Sequence, residues 1–139
     1  MHALLRRRAK QHGIALDLRG LAGEQLDLPS DSVDFLFSSL VLCSVDKPEQ
    51  VIAEVRRILR PGGRFACVEH VVAPEGSGIH GLQRLIRRPW KWVFEGCDLC
   101  RDTVSTLQSA GFLQVDVQPL VLPTIFVPIR HQIAAVCLN

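Results

Sequence analysis

The sequence of 139 residues lacks any apolar run of about 18 residues and shows no signal-peptide pattern. Nothing therefore marks the chain as membrane-spanning or secreted, and we expect a cytoplasmic protein. A strong charge imbalance is also missing, because the net charge is only +2. We therefore expect no nucleic-acid partner. Repeats and low-complexity tracts are absent as well, and 47% of the residues are hydrophobic, so we expect one globular domain over residues 1–139.

The five cysteines do not form a recognisable metal-binding pattern. Cys97 and Cys100 make a C-x2-C pair, but a structural zinc site usually needs a second such pair. The other three, Cys43, Cys67 and Cys137, are scattered along the chain. No secretory context supports disulfides. The sequence therefore predicts free thiols in a reducing compartment and no metal site.

The centre of the chain has the pattern of a strand, a helix and a second strand. Residues 33–37 form a short apolar block between turn formers, and residues 65–72 form another, which indicates two strands. Asp46 and Glu49 have the spacing of a capping box, and the Pro-Gly-Gly segment at 61–63 is expected to stop the helix. The apolar stripe of this helix is Val51, Ile52, Val55, Ile58 and Leu59. Because the connection is short, the two strands should be parallel.

The rest of the chain predicts an α/β fold. We expect helices at 2–12 and 79–92, a third helix through Ala110 that either Asp98 or Asp102 caps, and strands at 14–21, 112–122 and 132–138. Pro89 should interrupt the second of these helices. Prolines at 119, 123 and 128 indicate that the last two strands are broken or lie at a sheet edge.

Five segments together resemble class I S-adenosylmethionine-dependent methyltransferases. They are Gly23-Glu24-Gln25, the run 33–42, the run 59–63, Val68-Glu69-His70 and the run 89–99. The first four are similar to the small-molecule type-11 group, which includes enzymes of quinone biosynthesis. The run 89–99, with Arg101 after it, is similar to methyltransferase-like proteins that include alkyl-thiol methyltransferases. The resemblance implies a Rossmann-like sheet and S-adenosylmethionine as the cofactor.

One family feature is missing. The glycine-rich cofactor loop after the first strand has no counterpart, since Gly76-Ser77-Gly78 does not lie between a first strand and a helix. The family sheet has the order 3-2-1-4-5-7-6. We therefore expect an N-terminally truncated Rossmann-like sheet without strands 1 and 2. The exposed edge could then pair with a second copy of the chain.

The resemblance also places the cofactor. The loop after the family's third strand holds the adenine, and the end of its fourth strand meets the methionine part of the cofactor. The residues at these positions are Gly23, Glu24, Gln25, Ser38, Ser39 and Leu40.

Glu69 and His70 end a predicted core strand on the edge where ligands bind in such sheets. A histidine beside a carboxylate can remove a proton from a thiol or hydroxyl group, so we expect these two as catalytic residues. The expected substrate-binding residues are Cys43, Trp90, Trp92 and Phe94. The aromatic residues and their basic neighbours would also suit contact with a membrane surface.

The sequence thus predicts methyl transfer to a small, apolar nucleophile, a thiol first and a quinone-like ring carbon second. The alternative is a non-catalytic remnant of a methyltransferase that serves as a binding module.

Overall fold

The computed structural model describes residues 2–139 and contains one four-stranded sheet. The predicted α/β architecture is confirmed. The elements in chain order are α1 His2–Gln11, β1 Val33–Ser39, α2 Pro48–Ile58, β2 Leu59–His70, α3 Gly78–Val93, α4 Thr103–Ser109, β3 Gln114–Val121, a 3-10 turn Val127–Ile129 and β4 His131–Leu138.

The strands of this sheet lie in the order β1-β2-β4-β3. Strands β1 and β2 are parallel, which confirms the prediction from the central segment, and β4 runs antiparallel to both β2 and β3. This order corresponds to the positions 4-5-7-6 of the sheet that the resemblance implies. Because β1 and β2 are parallel, their carboxyl ends meet at one edge, where the loops after Ser39 and His70 lie close together.

Helix α2 covers one face of the sheet because its apolar stripe is buried there. Val51, Ile52 and Val55 pack in one cluster with Phe65 of β2 and Leu107 of α4. The predicted capping box is wrong: the helix begins at Pro48, so the capping position falls on Lys47, whose side chain makes no capping hydrogen bond. A proline at the first helical position still fits, since its missing N–H needs no partner there.

The Pro-Gly-Gly segment at 61–63 lies within β2 rather than between a helix and a strand, so its predicted role as the helix stop is wrong. Helix α2 ends earlier, at Ile58, and the register between β1 and β2 shifts in this region. Gly63 is needed there because a Cβ atom would lie 2.8 Å from the carbonyl oxygen of Arg60 and 3.2 Å from that of Val33.

Two other predictions are wrong. Residues 14–21 form no strand in the described part of the chain, and the side chains of Ile14 and Leu16 are exposed. Partial alternation of apolar residues gives a strand only where a neighbour is present to pair with it. Pro89 does not interrupt α3, which continues from Gly78 to Val93. The proline occupies an exposed position, where water can satisfy the carbonyl that loses its partner.

Helix α4 and the presence of the two final strands agree with the sequence. Asp102 caps α4 through a hydrogen bond from the Ser105 amide to its side chain. Strand β3 lies at an edge, as its proline indicated, but the same prediction is wrong for β4, which is a continuous interior strand. Pro123 and Pro128 precede β4 and therefore remove no hydrogen bond from its pairing. Within residues 2–139, no helix combines the length and apolar character needed to span a bilayer.

Candidate active site

The loop after β1 is held against the end of β2 by main-chain geometry. Leu40 has a φ angle of 55°, which is rare for a residue with a branched side chain, and its amide donates to the carbonyl of Val68 at 2.9 Å. The turn directs residues 41–43 across the carboxyl ends of the two parallel strands. This is the edge where open α/β sheets bind ligands.

The carboxylate of Glu69 organises this loop. Its Oε1 accepts hydrogen bonds from the amides of Val41 at 2.9 Å and Leu42 at 3.1 Å, and its Oε2 accepts one from the amide of Cys43 at 3.3 Å. The Ser38 hydroxyl adds a contact of 3.3 Å to Oε1. Glu69 is fully buried, so these donors replace water around a charged group. Its oxygen atoms are occupied by these hydrogen bonds, so the role of Glu69 here is to hold the loop in position.

The neighbouring side chain, His70, contacts a different set of groups. Its Nε2 lies 2.9 Å from Sγ of Cys97, and the indole Nε1 of Trp90 donates to the same sulfur at 3.3 Å. The sulfur of Cys43 completes the group, since ligand atoms of Cys43, His70 and Cys97 all lie within 4.8 Å of one another. We call these three residues the Cys43–His70–Cys97 cluster. Nδ1 of His70 is buried and has no partner among the described residues.

Hydrogen bonding makes the two thiols of the cluster unequal. Hydrogen bonds from Cys43, His70 and Trp90 lower the pKa of Cys97 to about 4, although burial opposes the shift. The hydrogen bond to Cys97 and burial both raise the pKa of Cys43 well above its ordinary value. Cys97 is therefore the thiolate of the pair at neutral pH, and Cys43 retains its proton.

An ion pair fixes the loop that carries Cys97. Arg87 on α3 donates to both carboxylate oxygens of Asp98, at 2.8 and 2.6 Å. The amide of Asp98 donates to the carbonyl of Cys43 at 2.8 Å, and the Arg101 guanidinium reaches the carbonyl of Val45 at 2.6 Å. The two cysteine-bearing loops are thus joined directly by backbone and side-chain hydrogen bonds.

The cluster forms part of the wall of an apolar cavity of about 300 Å³. Its lining residues are Leu40, Cys43, Ser44, His70, Trp90, Phe94, Cys97, Phe126 and Ile129. Trp90 and Phe94 stack with ring centroids 4.1 Å apart and form one side of it. A cavity with apolar walls and a few polar groups is the usual form of a small-molecule site.

A second cavity of about 320 Å³ lies on the other side of the loop after β1. Gly23, Ser38 and Ser39 line it, together with apolar residues of β1 and α2. Gly23 approaches α2 closely, because a Cβ atom there would meet both methyl groups of Val51 at 3.4 Å. Of the residues expected to bind the cofactor, Leu40 lines the apolar cavity instead, while Glu24 and Gln25 line neither of the two.

The structure brings together three of the four expected substrate-binding residues. Cys43, Trp90 and Phe94 line the apolar cavity, and His70 lies beside them. Trp92 lies outside the cavity, with 87% of its surface exposed. It is two positions after Trp90, and residues two positions apart in a helix point in directions that differ by about 200°. The sequence pattern pointed to Cys97 only as a partner of Cys100, whereas the fold places Cys97 alone of this pair beside Cys43 and His70.

Comparison with known proteins relates the chain to methyltransferases. Residues 1–67 match the family model described as a methyltransferase domain. The chain is 38% identical over 112 residues to the human thiol S-methyltransferase TMT1B, a match that covers 80% of this chain and 46% of that protein. The chain therefore spans about half the length of this curated relative.

Solved structures show the same fold. The [4+2]-cyclase SpnF superposes with a TM-score of 0.75 at 16% identity, covering 99% of this chain and 61% of that one. A S-adenosylmethionine-dependent methyltransferase from Mesorhizobium loti superposes with a TM-score of 0.64 at 22% identity, covering 98% of this chain and 75% of that one. At this level of identity the two structures establish the fold alone.

Proposed function

Since this chain is a homologue of the class I S-adenosylmethionine-dependent methyltransferases, we propose that it carries the acceptor pocket of a thiol S-methyltransferase. The observation that carries the proposal is the apolar cavity with His70 and two cysteines in its wall, at the carboxyl ends of the parallel strands. Its walls suit a small, apolar acceptor. The curated thiol S-methyltransferase relative supports a thiol as the reacting group.

The cofactor belongs in the second cavity. Ser38 and Ser39 place hydroxyl groups at the end of β1, and Gly23 allows a backbone approach there. Glu24, Gln25 and Leu40 flank these positions in the sequence. Gly23, Ser38 and Ser39 would contact S-adenosylmethionine in this cavity, and the cofactor would supply an activated methyl group when it is bound.

The chain's own residues would then align the reactants and remove a proton. A thiol must become a thiolate to attack a methyl group, and we infer that the hydrogen-bonded pair of His70 Nε2 and Cys97 Sγ in the cavity wall takes that proton. Glu69 holds the loop of residues 41–43 in position. The apolar walls would leave the thiolate poorly solvated and therefore reactive.

The test uses the purified chain with S-adenosylmethionine and a pair of acceptors of one carbon skeleton, an alkyl thiol and the matching alcohol. Calorimetry measures cofactor binding, and mass spectrometry measures the methylated product. We expect micromolar binding and methylation of the thiol alone. A folded sample that binds no cofactor would favour the alternative, a binding module derived from a methyltransferase.

Two partner predictions remain part of this proposal. Phe35 and Phe37 are more than half exposed on β1, at an edge of the described sheet, which would suit pairing with a second copy. Leu85 and Trp92 are exposed on α3 near basic side chains, which would suit a membrane surface. Sedimentation and vesicle binding measure these two predictions separately.

A further inference from the structure

The Cys43–His70–Cys97 cluster draws its three side chains from three separate segments of the chain. Cys43 follows β1, His70 ends β2, and Cys97 lies in the loop after α3. Their ligand atoms nevertheless lie within 4.8 Å of one another. Two sulfur atoms and one imidazole nitrogen are a soft donor set that Zn²⁺ prefers over Mg²⁺ or Ca²⁺.

We propose that Cys43, His70 and Cys97 form a three-ligand Zn²⁺ site whose fourth position opens into the apolar cavity. Zinc sites with three protein ligands and an open position are typical of catalysis, whereas structural sites are closed by a fourth protein ligand. All three ligands line the cavity, so the free position would face the space proposed for the acceptor. Two thiolates would also neutralise the dication, which lowers the cost of holding it in an apolar wall.

Several contacts around the two cysteines of the cluster suit a metal site. The Trp90 indole donates to Cys97 Sγ at 3.3 Å, a bond that stabilises a thiolate without occupying the position of a metal. The Cys43 loop is fixed by Glu69, which accepts from the Cys43 amide, and by the amide of Asp98, which donates to the Cys43 carbonyl. The ligand-bearing loops are therefore ordered before any ion binds.

The observed contact between His70 and Cys97 requires a small adjustment. Nitrogen and sulfur bound to one tetrahedral zinc would lie about 3.5 Å apart, given bond lengths of about 2.0 and 2.3 Å. The two atoms are 2.9 Å apart here, as a hydrogen-bonded pair. Zinc would replace the shared proton and separate the pair by less than about 1 Å, a shift within the range of side-chain rotation.

The chemical consequence rests on the proposed function. When an acceptor thiol takes the fourth position, a bound water leaves, a zinc–sulfur bond forms and the thiol proton passes to solvent. Nε2 of His70 has one lone pair, so it cannot bind zinc and accept a proton at the same time. In the zinc-bound chain, zinc would therefore take over from His70 and Cys97 the task of making the acceptor thiol lose its proton.

The test measures metal directly. The reduced, metal-free chain is titrated with Zn²⁺ and, separately, with Co²⁺, and both metal content and the absorption spectrum are recorded. We expect one zinc per chain, thiolate-to-cobalt charge-transfer bands and the intense visible bands of a tetrahedral ion. Cys43→Ser and Cys97→Ser should each remove the bands or weaken them severalfold.

Cys100→Ser is the matched control, because Cys100 is a neighbouring thiol outside the cluster. It should keep the full spectrum and one zinc per chain. Absence of binding to the wild-type chain, or equal loss in Cys100→Ser, would overturn the site. A Cys43–Cys97 disulfide that forms in air and resists zinc titration would also overturn it, in favour of a redox pair.

The metal result and the methyl-transfer result can fail independently. Cofactor binding by the metal-free chain is measured by calorimetry, so a chain that binds cofactor but no zinc leaves the proposed function standing. If zinc binds but the metal-free chain methylates thiols at the same rate, the site exists and the proposed role of zinc in forming the thiolate is wrong.

Discussion

The Asp98 carboxylate accepts two hydrogen bonds from the Arg87 guanidinium, at 2.8 and 2.6 Å. The aspartate side chain is only 7% exposed, whereas the arginine is half exposed. Burial raises the pKa of Asp98, but the bonds from Arg87 and from the Cys100 amide outweigh it and keep the pKa below its ordinary value. This pair ties α3 to the loop that carries Cys97.

Replacing Asp98 by Asn should therefore loosen the wall of the apolar cavity. We expect Asp98→Asn to lower the free energy of unfolding by about 1 to 3 kcal/mol, because a charged acceptor is lost at a buried position. Urea unfolding measures the change. Asp34→Asn is the control: Asp34 pairs with Arg60 at an exposed site, so its cost should be below about 1 kcal/mol. Equal costs for the two variants would contradict the structural role of Asp98.

Cys97 should be the most reactive thiol of the folded chain in weak acid. Its pKa is about 4, whereas burial raises that of Cys100, so at about pH 6 only Cys97 of this pair is a thiolate. We expect iodoacetamide to label Cys97 before Cys100, as located by peptide mass spectrometry. Labelling of Cys100 first would show that the hydrogen bonds around Cys97 do not stabilise its anion.

The same shift predicts a dependence of stability on pH. The unfolded chain keeps the Cys97 proton up to about pH 8.5, and the folded chain releases it near pH 4. Between these values the unfolded state binds more protons, so the contribution of Cys97 to stability should rise with pH and be lost as pH falls toward 4. Urea unfolding at several pH values gives the free energy of unfolding as a function of pH. Its rise with pH should be less steep for Cys97→Ser than for the wild-type chain.

Glu69→Gln should destabilise the loop after β1. An amide side chain keeps one acceptor oxygen but turns an NH₂ group toward main-chain amides that need an acceptor. We expect a loss of about 2 to 3 kcal/mol in the free energy of unfolding. Glu75→Gln, at an exposed position, should change it by less than about 0.5 kcal/mol. Hydrogen exchange of the Val41 amide should also accelerate in Glu69→Gln; an unchanged rate would contradict the prediction.

Gly63→Ala tests the close approach at the start of β2. A methyl group would lie 2.8 Å from the Arg60 carbonyl oxygen, so the backbone must move, at a cost of about 1 to 3 kcal/mol. Gly20→Ala is the matched control, since a Cβ atom there meets nothing within 4 Å. Thermal unfolding should show a clearly lower midpoint for Gly63→Ala alone; no difference would mean that the turn can relax freely.

The sequence was sufficient for elements whose pattern is local. The apolar stripe of α2 and the flanking strands predicted the parallel crossover, because periodicity and turn residues determine these elements over short distances. It was insufficient at 14–21, where alternation needed a pairing strand that the described sheet does not provide. The predicted ends of α2 also differ by a few residues from the observed ones, which lie at Lys47 and Leu59. Contacts with neighbouring segments decide where the helix begins and ends.

The cluster shows a different limit. Cys43, His70 and Cys97 are each ordinary in sequence, and more than 20 residues separate each from the next. Only the parallel pairing of β1 with β2 and the return of the chain after α3 bring them together. Glu69 and His70 could be selected from their place at a strand end, but adjacency in sequence did not reveal that one holds a loop while the other faces a thiol.

The left-handed backbone at Leu40 has a consequence for both cavities. Ser39 and Val41 line one of them and Leu40 lines the other, so the chain alternates between the two spaces. Leucine in this conformation costs about 1 kcal/mol or more that glycine would avoid. This turn therefore forms part of the wall of both cavities, and molecules held in the two would lie on either side of it.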